Sequence, residues 1–141
     1  MEKNYWEKET EALIFRVGKM LMAFPLLSIL EIQTNAKTTP LLGYPDSFLG
    51  ISSVRGELVT IISLSKLLNI QNDEDCSIDI IVMKDGNTKY ALRVNEIIGT
   101  ENIPASNLKS HLCLNYAYGY AEVNSKLVAL SEPEILLKKV C

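Results

Sequence analysis

The chain has 141 residues, 48% of them hydrophobic and 22% charged, and a net charge of −3. That is enough for one domain with its own core, too apolar for a disordered chain, and too acidic to suggest nucleic acid or an anionic membrane as partner. No 18-residue apolar run is long enough to cross a membrane, and "MEKNYWEKETE" lacks the apolar stretch of a secretory leader, so the expectation is a cytoplasmic protein.

Residues 1–11 read as a flexible N-terminal tail that holds the single tryptophan, Trp6. Short aliphatic runs then follow with the look of strands: Ala12–Val17, Lys19–Phe24 and Leu27–Gln33. After a loop holding Pro40 comes "LGISSVRGELVTIISLSKLL", Leu49–Leu68, an apolar ribbon with Arg55-Gly56 at the joint between two strands. Ser63 stands where it caps a short helix carrying Leu64, Leu67 and Leu68. The polar run Asn69–Cys76 marks a junction. Beyond it, Ser77–Met83 and Lys89–Val94 flank "DGN" (Asp85–Asn87), a hairpin signal because Gly and Asn tolerate positive φ. Lys126–Leu130 is the last strand, and Ser131 with Glu134 reads as a capping box, with Pro133 in the first turn, ahead of Ile135, Leu136 and Leu137.

The pieces occur twice in the same order. Gly50, Val54, Leu58, Val59, Leu67 and Leu68 recur 69 positions later as Gly119, Val123, Leu127, Val128, Leu136 and Leu137. Upstream, Leu30–Ile32 is echoed 65 positions on by Asn95–Ile97, and Pro40 by Pro104. Each half reads as hairpin, third strand, proline loop, two strands and short helix. The expected fold is therefore all-β with short helices: two five-stranded barrels packed together, with lobes at about 12–70 and 77–141 of a single domain spanning 12–141.

The repeat supplies an internal control. Arg55-Gly56 maps onto Asn124-Ser125, so the turn recurs without its charge or its glycine, whereas Glu31 has a counterpart in Glu96. Arg55 is then dispensable to the barrel plan. It reads either as a surface turn residue or as a group that meets a partner. If Glu31 lies on a neighbouring strand, the two would form a semi-buried pair that is costly to break. Gly50, repeated as Gly119, points to a backbone role, while Gly56 has no counterpart.

Nothing in the sequence assembles a catalytic or metal site. There is one histidine, His111, read as a loop residue, and Cys76, Cys113 and Cys141 are scattered without a C-x-x-C, the usage of reduced thiols. "NDED" (Asn72–Asp75) lacks the alternating order of a calcium loop and reads as a solvated linker. Tyr116, Tyr118 and Tyr120 share one strand face, open to either packing or an interface. No cofactor, metal or enzymatic activity is expected.

"FLGISSVRGELVTIISLSKLL" resembles the signature of CheW-like domains, the adaptors of bacterial chemotaxis, with Arg-Gly between two strands. The likeness runs from about Ala12 to Leu137 and takes in "ILEI" at Ile29–Ile32. It implies two five-stranded, SH3-like β-barrels around a shared hydrophobic core, and no catalysis. It also implies two partners, the regulatory domain of a CheA-type histidine kinase and the cytoplasmic tip of a chemoreceptor, with no nucleic acid and no insertion into the membrane. Carried over by position, Glu31 and Arg55 match an acid–arginine pair, and Ile29, Gly50 and Gly56 match positions tied to partner binding. Ser53 departs from the Asn common before the aliphatic-Arg-Gly and joins them as a candidate for partner preference; Thr60 and Ser63 depart from a usual Pro and Asp. A twitching-motility or other chemosensory adaptor, or an SH3-like module binding proline-rich peptide, are the competing expectations.

Overall fold

The computed structural model describes residues 6, 8–34, 47–70, 79–85, 87–105, 117, 119–133 and 136. The tyrosines at 116 and 118, all three cysteines, His111, the 72–75 run, Pro40 and the capping-box glutamate lie outside them.

Among the described residues, ten strands form in chain order: β1 (Thr10–Val17), β2 (Met20–Pro25), β3 (Glu31–Gln33), β4 (Phe48–Val54), β5 (Glu57–Ser63), β6 (Asp79–Asp85), β7 (Thr88–Val94), β8 (Glu96–Ile103), β9 (Gly119–Val123) and β10 (Lys126–Leu130). A short helix, α1 (Leu64–Leu67), follows β5. Ser63 caps it, accepting from the Lys66 amide at 3.3 Å, and Asn69 ends it in the left-handed region at φ 59°. The expected strand Leu27–Gln33 is only half strand. Pro25 closes β2, Leu26–Ser28 make a 3-10 turn held by Ser28 Oγ on the Pro25 carbonyl at 2.7 Å, and extended backbone resumes at Glu31.

The strands make two five-stranded sheets, ordered β8-β1-β2-β10-β9 and β3-β6-β7-β5-β4. These sheets correct the expected division into a leading and a trailing lobe. Each half contributes three strands to one sheet and lends its hairpin to the other. β10 lies parallel to β2, and β5 parallel to β7, so each lent hairpin is sewn in by a parallel ladder. The boundary near 70–77 separates repeated sequence, whereas both sheets draw on both sides of it. Strand pairing across halves leaves no local mark, because a strand's own alternation is the same whichever neighbour it finds.

The exchange explains why the hairpins read as nearly unbroken apolar runs. On β1, Leu13, Phe15 and Val17 enter the large core between the sheets, while Ala12 and Ile14 fill the interior of their own barrel. β6 does the same, with Ile81 and Met83 on one side and Ile80 and Val82 on the other. The match extends across the hairpins at a spacing of 68: Leu13 with Ile81, Phe15 with Met83, Met22 with Tyr90 and Phe24 with Leu92, all in the shared core. Phe15 and Phe24 stack there at a tilt, their ring centroids 4.7 Å apart.

A polar cluster fixes the crossing from β7 to β8. Asn95, buried, accepts from the Gly18 amide at 2.7 Å through its side chain and donates its own amide to the Arg16 carbonyl at 2.9 Å. Arg16 in turn reaches the Gly18 carbonyl at 2.6 Å and Glu96 at 3.3 Å. The counterpart of Glu31 is thus engaged in anchoring a crossover.

Trp6 corrects the reading of residues 1–11 as a flexible tail. Its side chain is 1% exposed, packed with Ala12, Ile14, Ala23, Ile103, Ala121, Val128 and Leu130, and its indole N–H donates to the Ser131 carbonyl at 3.0 Å. An isolated aromatic among charged residues carries no periodicity, so no local pattern marks it as the plug of a barrel. Trp6→Ala should cost about 3–5 kcal/mol in chemical denaturation, as removal of a buried large aromatic does. Separately produced fragments 1–73 and 74–141 should each stay unfolded by circular dichroism and recover β structure on mixing; autonomous folding of either would contradict the exchanged hairpins.

Candidate functional site

Arg55 and Gly56 are the two residues of the β4–β5 turn, since Val54 stands opposite Glu57. Both take positive φ, 50° and 81°, the type I′ geometry whose twist matches a two-residue hairpin. Asn124 and Ser125 do likewise between β9 and β10, at φ 51° and 65°. The equivalence read from the 69-residue spacing therefore holds at the level of the backbone. Glycine suits position 56, and a Cβ there would meet nothing within 4 Å, so the need is for the conformation and not for space. Arginine at 55 is a poor choice for this turn by comparison with asparagine, and its presence calls for a reason outside the fold.

Glu31 and Arg55 meet: Arg55 Nε donates to Glu31 Oε1 at 2.8 Å. They do not come from neighbouring strands. β3 and β4 are the two edges of their five-stranded sheet, so the contact spans the seam where the sheet rolls into a barrel. The other barrel closes similarly, with Asn124 Nδ2 donating to Glu101 Oε1 at 3.3 Å between the turn and β8. The expected semi-burial applies to one partner only. Glu31 is 20% exposed and Arg55 80%, and such a pair contributes roughly 0–1 kcal/mol to stability. The guanidinium is held at one nitrogen and faces solvent.

The remaining candidates divide between surface and frame. Ser53 is exposed and lies directly opposite Leu58 on the β4–β5 ladder. Gly50 is buried, at φ 147°, where the register of β4 on β5 shifts, which makes it part of the frame behind this edge. Ile29 is half-buried and packs against the shared core.

Exposed apolar side chains on the segments that carry the pair are a feature that sequence pattern alone does not single out. Six large hydrophobics stand exposed among the described residues, and four of them, Leu27, Leu30, Ile32 and Leu58, lie on the segments that carry Glu31 and Arg55. Leu27 is 88% exposed and Leu58 73%, which an aliphatic side chain with a free choice of environment would not be. The signal for Leu58 was present in its even strand position, opposite in facing to buried Val59 and Ile61. Trp6, sealed in a core, lines no groove for a proline-rich peptide, and no other tryptophan exists to do so. Among the described residues no three His, Cys, Asp or Glu side chains converge on a possible metal site.

The CheW-like domain family model matches residues 11–140. The chemotaxis protein CheW of Thermotoga maritima is 26% identical over 101 residues, covering 72% of this chain and 67% of that protein. The crystal structure of the scaffolding protein TtCheW from Thermoanaerobacter tengcongensis superposes with a TM-score of 0.80 at 17% identity, covering 91% of this chain and 92% of that one. That likeness establishes the two-barrel fold.

Two substitutions separate the fold from the surface. Arg55→Asn creates Asn-Gly, the preferred pair for this turn, and should leave stability within about 1 kcal/mol of the parent or raise it. Gly56→Ala should lower it by about 1–2 kcal/mol through backbone strain alone. Thermal and urea melts would check both, and a large loss for Arg55→Asn would return this residue to a structural role.

Proposed function

This chain belongs to the CheW-like domain family, and we propose from that premise that it is a cytoplasmic, non-enzymatic adaptor joining chemoreceptor tips to the regulatory domain of a CheA-type histidine kinase. The observation that carries the reading is the exposed face at the barrel seam. Glu31 holds the Arg55 guanidinium across that seam, and Leu30, Ile32 and Leu58 stand exposed on the segments that supply the pair.

The chemistry is that of an interface. Apolar side chains supply area for burial, and an arginine offering planar, paired donors supplies orientation. Glu31, Ser53, Arg55 and Gly56 act at this edge, with Ile29 and Gly50 supporting it from the half-buried and buried layers. Two barrels on one core give two related, non-identical outer surfaces, which suits a protein that must hold two partners together. Coupling requires that the bound geometry differ in free energy between the active and inactive arrangements of the kinase; a tether alone would transmit nothing.

The direct test is reconstitution. Purified chain, the kinase and a soluble receptor-tip hairpin should co-elute as a ternary complex in which kinase activity responds to the receptor fragment, while neither binary mixture shows that response. Failure of the chain to bind either component at tens of micromolar would contradict the proposal.

A further inference from the structure

The barrel that Trp6 plugs is open elsewhere. β8 and β9 are the two edges of its sheet, joined by no ladder, and Asn124 Nδ2 on Glu101 Oε1 at 3.3 Å bridges them from the turn. The β1–β8 ladder slips beside Ile14, which stands opposite Gly99 while Phe15 stands opposite Ile97. Gly99 brings no side chain to the wall, and a Cβ there would meet nothing within 4 Å. A slipped ladder, a bare glycine and an unladdered seam leave a cavity of about 180 Å³ in the barrel mouth. Ile14, Leu21, Val123 and Val128 supply its apolar lining, and Glu101, Asn124 and Lys126 are among its polar groups.

We propose that this cavity binds a small carboxylic acid with a compact apolar body, the body against Ile14, Leu21, Val123 and Val128 and the carboxylate at Lys126. An apolar cavity of about 150 Å³ takes a benzene-sized guest, so the space suits one ring or a short branched chain. Apolar walls with a few polar groups that fix orientation are the usual make-up of a ligand pocket, and barrel mouths are a usual place for one. Lys126 has no ion-pair partner among the described residues, whereas Glu101 is engaged by Asn124. Glu101 repels an anion on the β8 side and so directs the carboxylate towards β10. A guest so placed spans the seam and stabilises the barrel by mass action. Ile14 and Val128 belong also to the cluster around Trp6, the single tryptophan, whose indole therefore reports occupancy without any signalling partner.

The proposal stands apart from the adaptor reading. The isotopically labelled full chain is titrated with benzoate and, separately, with its neutral counterpart benzyl alcohol, while the indole N–H resonance of Trp6 and the methyl resonances of Ile14 and Val128 are followed. Benzoate at millimolar concentration should shift all three saturably and raise the melting temperature. Benzyl alcohol should bind about fivefold more weakly, the factor a solvent-exposed ion pair supplies. Lys126→Met, which keeps the stem and drops the charge, should weaken benzoate by the same factor and leave benzyl alcohol unchanged. Val123→Phe, with folding checked by its melt, fills the cavity and should abolish binding of both. The proposal is overturned if benzoate gives no saturable shift, if the two probes bind equally, or if Lys126→Met leaves benzoate affinity unmoved. Benzoate binding that survives in a folded Val123→Phe chain overturns it as well.

Discussion

The structure depends on the exchange of hairpins between the two sheets. Because β1, β2, β6 and β7 are each placed between a barrel interior and the core shared by both barrels, they are apolar on both faces and must find cover on both. A strand in that position cannot be satisfied by one barrel alone. The exchange therefore makes the two barrels mutually dependent. It also fixes the spacing of their outer surfaces through packed side chains and the Asn95 crossover, instead of through a linker.

This division of labour frees the outer edges. Stability resides in buried side chains such as Phe15, Phe24 and Leu92 and in the Trp6 plug, these four at or below 1% exposure, while the turn at Arg55 lies at the far end of its hairpin and contributes little. A left-handed arginine, an exposed ion pair and bare leucines are choices a fold would not make on its own behalf. Their presence on the two edges that meet at one seam is the arrangement expected of a surface that meets another protein. The second tip keeps the backbone and the leucine and omits the cation, so the duplication yields two related turns that differ in charge.

The parts of this account that the sequence disclosed are those written in local pattern. The turns at Arg55-Gly56 and Asn124-Ser125, the Ser63 cap and the β6–β7 hairpin are marked by residue types at single positions. The Glu31–Arg55 pair came from the family likeness, and no periodicity points to it. Its closure of a barrel from opposite edges was hidden because a seam joins residues that no ladder connects. The hairpin repeat at a spacing of 68 was hidden too, since Phe15 and Met83 share size and burial but not identity. Trp6 was invisible for a plainer reason: one residue has no period.

Amide chemical shifts of the isotopically labelled chain, followed while the kinase regulatory domain and the receptor hairpin are added in turn, address the docking surface most directly. Residues 53–58, with Leu30–Ile32 across the seam, should respond to at least one partner while the buried hairpins stay unmoved. Saturating complexes that perturb other surfaces and leave this edge silent would contradict this docking surface.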